Sequence, residues 1–224
     1  MKHVIAVGTG PGASEYLTLQ AIRILKNADV VFSPENAGKH LALDTAREFI
    51  TAERIIPLTF TMGSVTEDDY RKAALTILDN TPDGKTGAVL TIGDPMFYST
   101  FANMLPYLRR DDAEVRIVSG VPSFVAAAGI SATPLAYTKE TCTGTDHLNE
   151  TILRNTDAIA LLKTGKQKAE ALGLLEKHGF DYVYVRRATL ENQLVLTSAQ
   201  KADIEADADY ISLLLARKTK PHKG

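Results

Sequence analysis

Short apolar runs alternate with stretches of helical period along the first half of the chain. His3 to Val7, closed by Gly8, predicts a buried strand, and Leu17, Ala21, Ile24, Leu25 and Ala28 then recur at helical spacing. Ser14 or Thr18 is placed to cap that helix. Asp29 to Ser33 predicts a second strand, Ala42, Ala46 and Phe49-Ile50 a helix, and Arg54 to Pro57 a third strand. Asp68 to Leu78 has a helical pattern, and Pro82-Asp83-Gly84 has the residues a turn favours. Thr86 to Ile92 reads as a buried strand, Ser99 to Leu108 as a helix and Glu114 to Ser119 as a fifth strand. Strand–helix alternation of this kind predicts a mainly parallel sheet covered on both faces, with function in the loops at the strands' carboxyl ends.

The pattern changes near Ser119. Pro122 to Ile130 predicts a helix of small residues, and Thr133-Pro134 breaks the chain. Asp157 to Leu162 and Tyr182 to Arg186 read as strands flanking a helix over Gln167 to Lys177. Gln193 to Thr197 and Tyr210 to Ala216 read as strands free to pair antiparallel, since no long helix separates them. The expectation is an α/β protein of two domains. Residues 1–119 carry a mainly parallel sheet and residues 120–224 a mixed one.

Composition narrows the class. The chain has 224 residues, 45% hydrophobic and 23% charged, the balance of a soluble globular protein. A formal net charge of −2 gives no pull toward nucleic acid. The only basic run, Lys218 to Lys223, follows the last apolar segment and reads as a solvated tail. Val4 to Val7 is too short for a signal peptide, and no window approaches the ~18 apolar residues of a membrane span. A lone cysteine, Cys142, leaves no disulfide framework, and His40, His147 and His178 lack ligand spacing, so no metal site is expected. A cytoplasmic location follows as the expectation.

Three loops carry candidate chemistry. Gly8-Thr9-Gly10-Pro11-Gly12 follows a strand, where glycines permit positive φ and close approach by a ligand. Its third glycine comes one residue too early for the dinucleotide fingerprint, and Pro11 removes an amide hydrogen. That argues against a dinucleotide-dependent oxidoreductase, and a tight structural turn is the plain alternative. Gly93-Asp94-Pro95 puts a carboxylate at a strand end, where Asp94 either holds a polar ligand or caps the following helix. Tyr98, Ser99 and Thr100 add three hydroxyls. Gly120-Val121-Pro122-Ser123-Phe124 opens a helix whose free amides suit a negative group, or form an ordinary cap.

In this order the three loops, with Leu17-Thr18-Leu19-Gln20-Ala21 and the late segment Arg187 to Gln193, resemble the tetrapyrrole (corrin/porphyrin) methylase family. Tyr98-Ser99-Thr100, Leu58-Thr59-Phe60-Thr61-Met62 and Ala160 to Gly165 look like the branch that methylates C-20 of precorrin-2, with or without cobalt, in corrin-ring synthesis. Ser119, Pro122 and Thr61 depart from the usual pattern. The resemblance implies a homodimer that binds S-adenosylmethionine between its two domains. It implies contacts from Pro11, Gly93, Asp94, Met96, Ser99, Thr100, Ser123, Phe124, Leu162 and Ala188. A tetrapyrrole carries many carboxylates, which makes Lys163, Arg186 and Arg187 candidates to hold it. Transfer of a sulfonium methyl to a meso carbon needs positioning and later loss of a proton. No base is evident, and Tyr98 is the candidate. Other expectations are a relative acting on a different tetrapyrrole carbon, diphthamide or ribosomal RNA, or a non-enzymatic nucleotide-binding regulator.

Overall fold

The structure, a computed structural model, describes residues 1–35, 40–60, 65–165 and 168–219. Thr61, Met62, Gln167 and the tail beyond Thr219 lie outside the described residues. Contacts divide the chain into two units, Met1–Pro122 and Ser123–Gly224.

In the first unit, strands β1 (Lys2–Gly8), β2 (Val30–Glu35), β3 (Arg54–Thr59), β4 (Thr86–Thr91) and β5 (Ala113–Val118) form one parallel sheet in the order β3-β2-β4-β1-β5. Helices α1 (Leu19–Leu25), α2 (Leu41–Ala46), α3 (Glu67–Asn80) and α4 (Thr100–Leu108) connect the strands. Side chains alternate across a strand, so a run buried at every position serves two faces. Val4, Ala6, Phe32 and Val89 pack with Ile77 and Leu78 of α3 and with Phe101 and Met104 of α4. Ile5, Val7, Val31 and Leu90 pack on the other side with Ala21 and Leu25 of α1 and with Ala42 and Ala46 of α2. Thr18, rather than Ser14, caps α1 by accepting from the Ala21 amide at 3.1 Å.

In the second unit, α5 (Ser123–Ile130) precedes β6 (Cys142–Thr145), α6 (Glu150–Asn155), β7 (Ala158–Leu162), α7 (Lys168–Lys177), β8 (Phe180–Arg186), β9 (Leu194–Thr197), α8 (Lys201–Ala206) and β10 (Ser212–Lys218). The sheet is mixed, in the order β6-β7-β10-β8-β9, and only β6 and β7 run parallel.

Sequence and structure differ here in three places. β9 and β10 do not pair with each other, because β8 lies between them and pairs with both. Cys142 falls in strand β6, whose residues Cys142-Thr143-Gly144-Thr145 show no apolar alternation because only Thr145 is buried. Helices α6 and α8 each bury one residue, Leu153 and Ile204, too few to leave a helical period.

Candidate active site

Neighbouring strands bring the first two loops together. β1 lies between β4 and β5, so the chain leaves all three at adjacent carboxyl ends. Gly10 and Gly93 form an antiparallel bridge, the Gly93 amide donating to Gly10 O at 2.7 Å and the Gly10 amide to Gly93 O at 3.3 Å. Backbone packs on backbone around it. A Cβ on Gly8 would lie 2.4 Å from Gly120 N, and one on Gly120 would lie 2.1 Å from Gly93 O. Pro11, buried beside Gly10, is carried into the same cluster as Gly93. Gly93 has φ +71°, and its open side meets nothing nearer than Pro122 Cα at 3.9 Å.

Asp94 does not cap a helix. Its Oδ1 accepts from the Met96 amide at 2.8 Å and its Oδ2 from the Gly120 amide at 3.1 Å, tying the β4 loop to the end of β5. The cap of α4 is Ser99, whose Oγ accepts from the Ala102 amide at 3.0 Å and donates to Pro95 O. Ser99 is thereby buried, with Thr100 half-buried after it. Met96 and Tyr98 are exposed. Tyr98 takes φ +48°, a left-handed conformation that costs a residue with a Cβ, and its ring stands edge-on to Phe97 at 5.1 Å.

Three of the expected contact residues in the second unit meet in one apolar cluster. Phe124 of α5 and Leu162 at the end of β7, both partly buried, pack with buried Ala188, Ala127, Ala160 and Leu213. Ser123 is the first residue of α5. Lys163, next to Leu162, has φ +55°.

Arg186 and Arg187 already hold carboxylates of the chain itself. Arg186 Nη1 donates to Asp207 Oδ2 at 2.7 Å and Nη2 to Asn192 O at 3.2 Å, and Arg187 Nε donates to Asp209 Oδ2 at 2.5 Å. Burial pushes the Asp209 carboxyl up, but the Arg187 hydrogen bond, the Ile211 amide and the positive charge of both arginines outweigh it. The net effect holds it below the usual carboxylate range. Lys168 is buried at the start of α7, donating to Ile204 O at 2.9 Å and to Asp207 O, with its ammonium 4.9 Å from the Tyr184 ring centre. Burial lowers its pKa, while Asp207 and Asp209 pull the other way. Sequence reasoning missed Asp207, Asp209 and Lys168. The only signal was the Asp207-Ala208-Asp209 spacing, 21 and 22 residues from its arginines.

Among the described residues no group of three or more His, Cys, Asp or Glu could hold a metal ion, and no helix is long and apolar enough to cross a membrane. In the first unit the glycine backbones and the Asp94 carboxylate meet at strand ends, and in the second Phe124, Leu162 and Ala188 form a partly buried apolar cluster.

The chain is 32% identical to the "Probable cobalt-precorrin-2 C(20)-methyltransferase" of Methanocaldococcus jannaschii, with 98% of each chain covered. It is 26% identical to the cobalt-precorrin-2 C(20)-methyltransferase of Salmonella typhimurium, with 95% of each covered. Its fold resembles that of uroporphyrin-III C-methyltransferase from Thermus thermophilus, solved with S-adenosylhomocysteine, at TM-score 0.70 and 19% identity over 96% of this chain and 97% of that one. The profile of the Tetrapyrrole (Corrin/Porphyrin) Methylases matches residues 3–203, and the chain belongs to that family.

Proposed function

We propose that the protein transfers a methyl group from S-adenosylmethionine to C-20 of precorrin-2 or cobalt-precorrin-2, in the synthesis of the corrin ring. The observation that carries this reading is the likeness, over 98% of both chains, to the "Probable cobalt-precorrin-2 C(20)-methyltransferase" of Methanocaldococcus jannaschii. The local geometry supports the cofactor. Half-buried Gly93 leaves space on its Cα side, with nothing nearer to a built Cβ than Pro122 Cα at 3.9 Å, and Phe124 and Leu162 offer a half-buried apolar surface around Ala188.

When bound, the cofactor supplies an electrophilic methyl on a sulfonium. The chain's task is then to orient it, keep water away and manage a proton. In this reading Pro11, Gly93, Asp94, Met96, Ser99 and Thr100 of the first unit and Ser123, Phe124, Leu162 and Ala188 of the second hold the cofactor. Exposed Met96 and Tyr98 offer surface to a flat macrocycle, and the Tyr98 hydroxyl is the candidate to relay the proton from the methylated carbon, handing its own proton to solvent as it does. Lys163, which follows Leu162 at the end of β7, is a candidate to meet a substrate carboxylate. The active species is proposed to be a homodimer.

The test is turnover of precorrin-2 and of cobalt-precorrin-2 with S-adenosylmethionine carrying an isotope-labelled methyl. The expected product has the label at C-20. Label at another ring carbon would move the chain to a different branch of the family. Calorimetry that found NAD binding and no S-adenosylhomocysteine binding would refute the reading altogether.

A further inference from the structure

Ala188 sits between two residues in a conformation that side chains disfavour. Arg187 has φ +49° and Thr189 φ +68°, where glycine is at ease and a Cβ is not. Such a turn persists only where its surroundings over-determine it.

The surroundings here are specific. The Arg187 amide donates to Ile211 O at 2.8 Å, and the Ile211 amide in turn donates to Asp209 Oδ1 at 2.9 Å. The second oxygen of Asp209 takes the Arg187 Nε, so one carboxylate grips both the side chain of Arg187 and the segment that accepts its amide. Beyond Ala188, the Thr189 amide donates to Gln193 Oε1 at 2.8 Å and the Leu190 amide to Arg187 O at 2.9 Å. The acidic segment is itself anchored. Asp207 Oδ1 accepts from the Asp209 amide at 2.8 Å, Asp207 Oδ2 holds Arg186, and buried Lys168 grips the Asp207 carbonyl from inside the unit.

We propose that Asp209, backed by Asp207, is a positioning residue that preforms the turn Arg187-Ala188-Thr189 for the cofactor. The proposal rests on the reading that Ala188 meets S-adenosylmethionine. An arginine in a two-sided grip lacks the freedom of a glycine at the same place, so ordering the turn costs little at the moment of binding. Arg187 is then a strut of the site, and its charge is spent on Asp209 instead of on a substrate carboxylate.

The experiment is a double-mutant cycle on the full chain, read by S-adenosylhomocysteine affinity and by substrate KM. Asp209→Ala is expected to weaken cofactor affinity about tenfold, the size of one lost charge-assisted hydrogen bond. Arg187→Gly removes the strain at position 187 and the side chain that Asp209 grips, so adding Asp209→Ala in that background should cost less than about twofold. An equal loss in both backgrounds overturns the proposal, and so does no loss in either. A result in which Arg187→Gly leaves cofactor affinity intact but raises substrate KM at least about tenfold also overturns it, since Arg187 would then be a substrate ligand.

Amide exchange over residues 186–193 in the cofactor-free protein decides without any ligand. Asp209→Ala should speed exchange there about tenfold while leaving α7 protected, and unchanged exchange sinks the idea. If Asp209→Ala does not fold, Asp209→Asn, which keeps an acceptor for Ile211, takes its place with the same pattern expected. A wild-type chain that binds no S-adenosylhomocysteine refutes the methyltransferase reading, and the exchange experiment still judges the turn.

Discussion

The loops after β1 and β4 and the turn after β8 are held by opposite means. In the first, side chains are missing where strands converge, and Gly8, Gly93 and Gly120 let backbone touch backbone. In the second, side chains hold two residues in a left-handed conformation, Asp209 gripping Arg187 and Gln193 the Thr189 amide. The first arrangement fails when an atom is added, and the second when one is taken away.

Adding an atom should do the most harm. Gly120→Ala would set a Cβ 2.1 Å from Gly93 O, and Gly8→Ala one 2.4 Å from Gly120 N. Neither obstacle is a flexible side chain, so a loss of about 3 kcal/mol or more is expected by denaturant unfolding. Deletion comes next. Asp207→Ala strands Arg186, whose partner carboxylate is only 6% exposed. About 2–3 kcal/mol is expected, on the low side for a broken buried pair because Arg186 keeps some contact with water. Ser99→Ala removes the cap of α4 and its tie to Pro95, for about 1 kcal/mol in the same assay.

Acid should separate the two regions without mutation. Asp209 has a depressed pKa, so the stability it lends is present above the ordinary carboxylate range and lost as pH falls through the depressed value. Protection of the amides at 186–193, measured against their intrinsic exchange at each pH, should therefore fall on acidification before that of Gly10 and Gly93, whose bridge is purely backbone. The smallest effect has the opposite sign. Gly129 lies in α5 with nothing within 4 Å of a built Cβ, so Gly129→Ala should raise stability by about 0.5–1 kcal/mol. A loss there would contradict the open space around Gly129.

The same contrast explains what could be read from the sequence. Glycine loops at strand ends are local, and five strands with connecting helices leave a clear apolar rhythm, so the parallel sheet and the loops were legible. The partner of Asp94 was not. The free amides opening the helix at Gly120 to Phe124 were expected to suit a negative group or form an ordinary cap, but the Gly120 amide goes to the carboxylate of Asp94, 26 residues away. Asp207 and Asp209 pair with arginines across β8 and β10 in a register that only the folded sheet defines. Lys168 carries no signal beyond its place at the head of a helix, and its burial beneath Asp207 is visible only in three dimensions. Strand β6 and helices α6 and α8 stayed hidden because each buries a single side chain.

Strand order also sets a timetable for the growing chain. All five strands of the first sheet exist once Val118 has left the ribosome, so that unit can close while the rest is still being made. In the second sheet the central strand is β10, made last, and until Leu213 to Arg217 emerge β7 and β8 have no shared neighbour. Chains stalled before Ser212 should therefore yield a protease-resistant first unit and an open second one. The turn that carries Ala188 would be among the last parts of the molecule to take shape.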